Sequence, residues 1–322
     1  PIDFVYAFIS YDKSIFENKD LRSRIGKDNV TLDQVIDLGI EAIETKGLDS
    51  KKVLNRTLDS VIFDYYLVDR DKYLDLENYT CTFNDGRFEE LLNKSSKLVD
   101  EERIAQRLNA IDFANIDVQQ FLADYNKPTP FYVSNSTEMI YEMVLDGDIL
   151  SKAEKDAAEP IYGGKKHLGL LVNEEGRSLY MPVNSFGINS NSENKLLAWT
   201  FIKFLLSEEC QTLPSINGIP VLKSAFDSTS KVNFSQNFFN TGNYSDLKLT
   251  EKENEAHKEY LKVLESYIPN LGLLQYTDLT INNLIKDELE SYYSGEITSN
   301  EVCEKIQTSV SEYLNKAKKG LL

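Results

Sequence analysis

The chain has 322 residues, room for about two domains of roughly 150 residues each, and 41% are hydrophobic, which places it among globular proteins. Lys and Arg number 35 against 52 Asp and Glu, and the net charge of -17 repels phosphate backbones, which argues against a nucleic-acid partner. No apolar run approaches the roughly 18 residues of a membrane span, and no charged-then-apolar leader follows Pro1, so the sequence carries no export signal of its own.

Val5-Tyr-Ala-Phe-Ile9 reads as a buried strand, and a polar connection through Asp12 and Lys19 leads to a helix from Thr31. Thr31 and Gln34 have capping-box spacing. Val35, Leu38 and Ala42 form one apolar row and Ile36, Ile40 and Ile43 another, which predicts a broad buried face. A second helix is predicted over 52–67. A third follows the turn Asn84-Asp-Gly86, with Asp85 as its cap and Phe88, Leu91, Leu92 and Val99 at helical spacing. Beyond 102 the pattern shortens into strands at 108–113 and 130–133 and a helix over 138–145. His167 to Val172 is a further strand candidate and Ser185 to Ile188 another, separated by the polar turn Asn173-Glu-Glu-Gly176. These alternations make the fold class mixed α/β.

Ser190 and Glu193 again have capping-box spacing, and Ala198, Phe201, Ile202 and Leu205 recur at i, i+3, i+4 and i+7. A helix burying one face is predicted there, ended by Gly218 and Pro220, with the lone tryptophan, Trp199, in its core pattern. Residues 224–250, rich in Ser, Asn, Asp and Thr, read as a long surface excursion. In the tail, Ile281, Leu284, Ile285, Leu289 and Tyr292 make one stripe ended by Ser294-Gly295. Thr298 and Glu301 then box a helix carrying Val302, Ile306, Val310 and Tyr313, so two packed terminal helices are predicted.

No catalytic constellation emerges. Cys81, Cys210 and Cys303 are far apart and lack C-x-x-C spacing, and His167 and His257 lack any metal or triad context, so all five read as structural. Asp69, Asp71, Asp75 and Glu77 resemble a calcium loop, but Tyr73 and Leu74 stand where a ligand and Gly are required, leaving a solvated acidic loop. Gly163-Gly164-Lys165 lacks the upstream Gly and following Ser or Thr of a phosphate loop. No metal or cofactor is called for, and the chain reads as a non-enzyme.

The stretch Asn184-Ser-Phe-Gly-Ile-Asn-Ser-Asn-Ser-Glu-Asn-Lys-Leu-Leu-Ala-Trp-Thr-Phe-Ile-Lys-Phe-Leu-Leu-Ser-Glu-Glu-Cys-Gln211, with Asn217-Gly-Ile-Pro-Val-Leu-Lys223, resembles extracellular solute-binding proteins of carbohydrate ABC importers, of the maltose-binding-protein-like family 1 type. Thr31 to Gly39, Leu76 to Phe83, Gly169 to Asn189 and Ser294 to Val302 fit the same family in the same order, so the likeness covers most of 20–322. Members of the family are usually longer, beginning with a signal peptide, a lipid-anchored cysteine and an amino-terminal lobe of βα units.

The resemblance implies a periplasmic-binding-protein-like (type II) two-lobed clamp. Residues 1–178 and 221–322 would form the carboxyl-terminal lobe, and 182–220 a segment of the amino-terminal lobe whose Trp199 helix lacks part of its packing. It implies a monomeric receptor that captures a carbohydrate, in particular an oligosaccharide, in an interlobe cleft. The receptor would deliver it to ABC permease subunits outside the cell, membrane-bound only through a lipidated amino terminus absent from this sequence. Aromatic rings cover the C–H faces of a sugar and planar polar groups bond its hydroxyls. Tyr65 and Tyr66, Phe113 with Asn115, and Tyr276 with Asp278 fall where that lobe faces its ligand. Two other readings stand beside this one: a carbohydrate-active hydrolase with carboxylates from distant segments, and an interaction module on the same scaffold without a small ligand.

Overall fold

The computed structural model describes residues 1–17, 19–25, 29–48, 52–55, 62, 69–96, 128–136, 163–213, 218–228, 250–274 and 278–321. The chain opens with strand β1 (Asp3–Asp12), then helices α1 (Lys19–Arg24) and α2 (Leu32–Lys46). A small hairpin of β2 (Leu74–Asp75) and β3 (Thr80–Cys81) precedes α3 (Arg87–Ser95). Strands β4 (Phe131–Asn135), β5 (Lys165–Gly169) and β6 (Ser178–Pro182) follow. Helices α4 (Lys195–Leu205) and α5 (Glu208–Gln211) then lead to β7 (Ile219–Pro220). The chain ends with α6 (Glu251–Tyr267), β8 (Leu271–Leu274), α7 (Leu279–Tyr293) and α8 (Ser299–Lys318). This is the mixed α/β class that the sequence predicts.

The chain divides into two compact units, residues 1–10, 134–171 and 176–275 in the first and 11–133, 172–175 and 276–322 in the second. In the first unit β1 is the strand that β4, β5, β6 and β7 all pair with, and β8 adds to β6. Phe4, Val5 and Tyr6 face Pro182, Met181 and Tyr180 in antiparallel register, while Asp3 and Phe4 face Pro220 and Ile219. Tyr6, Phe8 and Ile9 of β1 are buried, as are Tyr260 and Leu264 of the long α6, whose start is fixed by the Thr250–Glu253 capping box.

In the second unit α2 starts at the expected Thr31–Gln34 capping box and ends on Gly47 in the left-handed conformation that glycine adopts without strain. Its Val35, Ile36, Leu38 and Ala42 are buried. Ile15 and Phe16, in a short 3-10 turn, are buried too, so the region read as a polar connection contributes to the core. Gly39 lies against Val53 so closely that a Cβ there would collide with the valine side chain. The terminal helices pack as expected: α8 begins at the Thr298–Glu301 capping box, and Ile281, Ile285, Leu289, Val302, Ile306, Val310 and Leu314 are buried. The β2–β3 hairpin is tied to α8 through Phe83 N–H donating to Gln307 Oε1 at 2.7 Å and Gln307 Nε2 donating to Cys81 O at 3.1 Å.

Four expectations need correction. Residues 185–188 are not a strand; the strand is β6, seven residues earlier at its start, because 180–182 are the residues in register with β1. Asp85 is not itself the N-cap of α3. Gly86 holds that position with φ 92°, and Asp85 sits one residue ahead, its Oδ1 accepting the Arg87 N–H at 3.2 Å. No Ser190–Glu193 box forms, since α4 begins at Lys195 after an Asn194 that makes no side-chain cap bond. The excursion read from 224 starts instead as helix over 223–228, with Ala225 and Phe226 buried. The predicted helix over 138–145, the strand at 108–113 and most of 52–67 lie outside the described residues; 52–55 are described and are not helical, Leu54 forming an isolated parallel bridge to Phe131.

Candidate functional site

Of the six residues selected as ligand-binding, Tyr65, Tyr66, Phe113, Asn115 and Tyr276 lie outside the described residues. Asp278 is described, and it is the N-cap of α7: Oδ1 accepts the backbone N–H groups of Thr280 and Ile281 at 3.0 and 3.1 Å. Its Oδ2 lies 3.5 Å from the Tyr313 hydroxyl, which donates to it. One carboxylate oxygen thus starts the helix. The other is the atom through which Asp278 can accept from a further donor.

In the first unit, His167 on β5 stands between Phe8 and Tyr267, with ring centroids 5.0 and 5.5 Å away. Its Nε2 is 2.6 Å from the Tyr267 hydroxyl and its Nδ1 is buried without a partner. Burial lowers the imidazole pKa to about 4, so the ring is neutral at physiological pH. The Tyr6 hydroxyl is also buried without a partner, and burial pushes that phenol well up. These groups make an internal polar cluster.

In the second unit Tyr73, Phe83 and Phe88 pack ring against ring, with the Arg87 guanidinium 5.8 Å above Tyr73. A recess of about 430 Å³ opens on α3, lined by Gly86, Glu89, Glu90, Asn93 and Lys94. Among the described residues it holds no aromatic ring, and Lys94 is paired with Asp33 and Glu90 at 3.1 Å each, so these residues offer a sugar no stacking surface.

Among the described residues no group of three or more His, Cys, Asp or Glu is placed to hold a metal ion. Burial pushes the Cys303 thiol up to about 12 and raises that of Cys81, the reverse of what an activated nucleophile needs. Asp75, Asp85 and Glu301 are held below the usual carboxylate range, mainly by hydrogen bonds from Asn78, Arg87 and Thr298. None of these three has the raised pKa of a glycosidase acid.

The most unusual surface belongs to α4. Lys-Leu-Leu-Ala-Trp-Thr-Phe-Ile-Lys-Phe-Leu is strongly apolar, yet none of its residues is buried. Leu196, Leu197, Trp199 and Phe201 are 80%, 69%, 47% and 56% exposed. The buried face expected of Ala198, Phe201, Ile202 and Leu205, and the core position expected of Trp199, are not found. Helical periodicity shows which residues share a face, not whether anything in this chain covers it.

Neither a family model nor a curated protein matches the sequence. Solved structures do match. The sugar-binding protein MalE from Xanthomonas citri superposes with a TM-score of 0.56 at 15% identity, covering 99% of this chain and 71% of that one. The fold is that of the family 1 extracellular solute-binding proteins. Such a protein from Alicyclobacillus acidocaldarius gives a TM-score of 0.55 at 12% identity, covering 98% of this chain and 71% of its own. An ABC substrate-binding protein from Listeria monocytogenes in complex with cycloalternan gives 0.51 at 13%, with 98% and 71% covered. At these identities the likeness is one of fold, and each neighbour extends well beyond the part that this chain matches.

Proposed function

We propose that this chain is a receptor that captures a carbohydrate, an oligosaccharide in particular, and delivers it to the permease subunits of an ABC importer. The supporting observation is the fold shared over nearly the entire chain with proteins named for binding sugar and cycloalternan. In this reading Tyr65, Tyr66, Phe113 and Tyr276 present ring faces to the apolar C–H faces of the sugar, and Asn115 and Asp278 Oδ2, which already accepts from Tyr313, bond its hydroxyls. Each neutral bond contributes about 0.5–1.5 kcal/mol net, so several must act together with the rings.

The receptor works as a monomer outside the cell, held at the membrane by a lipidated amino terminus. Residues 1–178 and 221–322 form its carboxyl-terminal lobe and 182–220 a segment of the amino-terminal lobe. The exposed face of α4 is then the surface onto which the rest of that lobe packs. Its apolar, unburied side chains and the 71% coverage of the neighbours support this.

Thermal unfolding against mono- and oligosaccharides, with amino acids and short peptides as controls, tests the proposal. A sugar at a hundred times its Kd stabilises by about 2.7 kcal/mol, or roughly 5 °C for a chain of this size. Alanine at Tyr65, Phe113 or Tyr276 should shrink that rise. A rise with peptides and none with any sugar would sink the carbohydrate reading.

A further inference from the structure

Immediately ahead of α3 the second unit carries an Asp-Gly pair, Asp85 and Gly86. Gly86 holds the N-cap with φ 92°, and a Cβ there would meet nothing within 4 Å, so its backbone nitrogen is open to approach. Among the described residues no acceptor takes the Gly86 N–H. The Asp85 side chain is 34% exposed and that of Arg87 45%, so water reaches both.

Arg87 holds the Asp85 carboxyl group from two sides. Its backbone N–H donates to Oδ1 at 3.2 Å, its Nε donates to Oδ2 at 2.6 Å, and its Nη2 lies 2.6 Å from the same oxygen. The guanidinium in turn rests 5.8 Å from the Tyr73 ring. The Arg87 side-chain bond is the largest cause that keeps Asp85 below the usual carboxylate range. Of the neighbouring titratable groups, Tyr73 and Cys303 are raised by burial and stay neutral. Glu89 and Glu90 of α3 and Glu304 of α8, which accepts from Asn84 Nδ2 at 2.9 Å, carry negative charge that favours the protonated acid. Arg87 therefore keeps Asp85 ionised against acidic surroundings.

We propose that Asp85-Gly86 is a succinimide-forming modification site that Arg87 holds in check. A carboxylate is a poor electrophile, and only the protonated acid reacts. The Gly86 nitrogen attacks Asp85 Cγ, the carboxyl O–H leaves with the amide proton as water, and a succinimide ring closes. Water then opens either carbonyl. Opening at the side-chain carbonyl restores aspartate, and opening at the main-chain carbonyl leaves isoaspartate, whose backbone carries an added methylene. That methylene falls between Phe83 and Phe88, both fully buried with ring centroids 5.2 Å apart, so the reaction displaces the start of α3 from the aromatic cluster. Arg87 is a positioning residue here, and the guard stands whether or not the chain binds sugar.

Warm incubation of the full chain, Arg87→Gln and Arg87→Lys between about pH 4 and about pH 7 tests it, with isoaspartate at position 85 counted by peptide mass mapping and isoaspartyl methyltransferase labelling. Near about pH 5, Arg87→Gln should form isoaspartate roughly two- to fivefold faster than the original chain, the range set by an exposed ion pair. Its rate should also decline with rising pH at a higher midpoint, because without the guanidinium the carboxyl group takes up its proton at higher pH. Arg87→Lys keeps the charge but not the fork and should fall between the two. Loosening of the backbone alone would raise the rate at every pH and leave the midpoint in place. That result, or equal rates in the original chain and Arg87→Gln, would overturn the guard. An original chain that forms no isoaspartate at position 85 even when unfolded in urea would overturn the site.

Discussion

Acid should weaken the first unit through His167. In the unfolded chain its imidazole titrates near 6.5, whereas burial lowers the folded value to about 4. The folded state therefore resists a proton that the unfolded state takes up readily. Above about pH 6.5 both states are neutral and stability is full. As pH falls from 6.5 towards 4 the unfolded chain binds more protons, and stability is lost. At 1.36 kcal/mol per pH unit, the interval from 6.5 to about 4 amounts to about 3 kcal/mol. Geometry gives the same sign: a proton added to Nδ1 meets no acceptor, and Nε2 is already bonded to the Tyr267 hydroxyl. His167→Gln retains a group able to bond Tyr267 and removes the titration. The stability difference between the original chain and this variant, from urea unfolding at pH 7, 6, 5 and 4, should shift by about 3 kcal/mol against the histidine. The chain has only two histidines, so their two imidazole NMR signals give the pKa directly. A His167 signal with its midpoint between pH 6 and 7, or a flat difference across the series, would refute the reasoning.

Three further outcomes follow from the packing. Thr298→Ala removes the capping box of α8 and should cost about 1 kcal/mol by urea unfolding, with Asn300→Ala at the exposed next position but one as a non-capping comparison. Gly39→Ala should cost about 1–3 kcal/mol because its Cβ collides with Val53, and adding Val53→Ala should recover part of the loss; a purely additive double variant would rule the collision out. Leu196→Gln and Leu197→Gln should change stability by no more than about 0.5 kcal/mol while lowering the binding of an apolar dye, and a loss above about 2 kcal/mol would mean that α4 is buried after all.

What the sequence makes legible depends on how local its cause is. The capping boxes at Thr31 and Thr298, the left-handed Gly176 after Asn173 and the stripe through Val302, Ile306 and Val310 all follow from residues within a few positions of one another. The same signal was available at Thr250 and Glu253, where the His257, Tyr260 and Leu264 row marks α6, a helix the composition of the preceding stretch had hidden. Strand β6 is different. Ser185 to Ile188 is as apolar as Ser178 to Pro182, and only the partner decides between them. Tyr180, Met181 and Pro182 find β1 in register, whereas Phe186 is exposed.

The same distinction governs the site. Asp278 lies two residues from Tyr276, and its position just before an apolar stripe is also the signature of an N-cap, which is what one of its oxygens does. A carboxylate bound on one oxygen by two backbone N–H groups is fixed in direction, so the role proposed for its other oxygen gains rigidity from the cap. The buried Asp3, whose carboxylate accepts the N–H groups of Asn184 and Gly218, had no such signal. Asn184 lies 181 residues away and Gly218 215 away, and no local pattern reports that one buried carboxylate gathers both. Nor could the pattern of α4 report its exposure, because an apolar row reads the same whether its cover is present or absent. A helix that keeps a core sequence at its surface is what the proposal of a second lobe over 182–220 expects, with the remainder of that lobe as its cover.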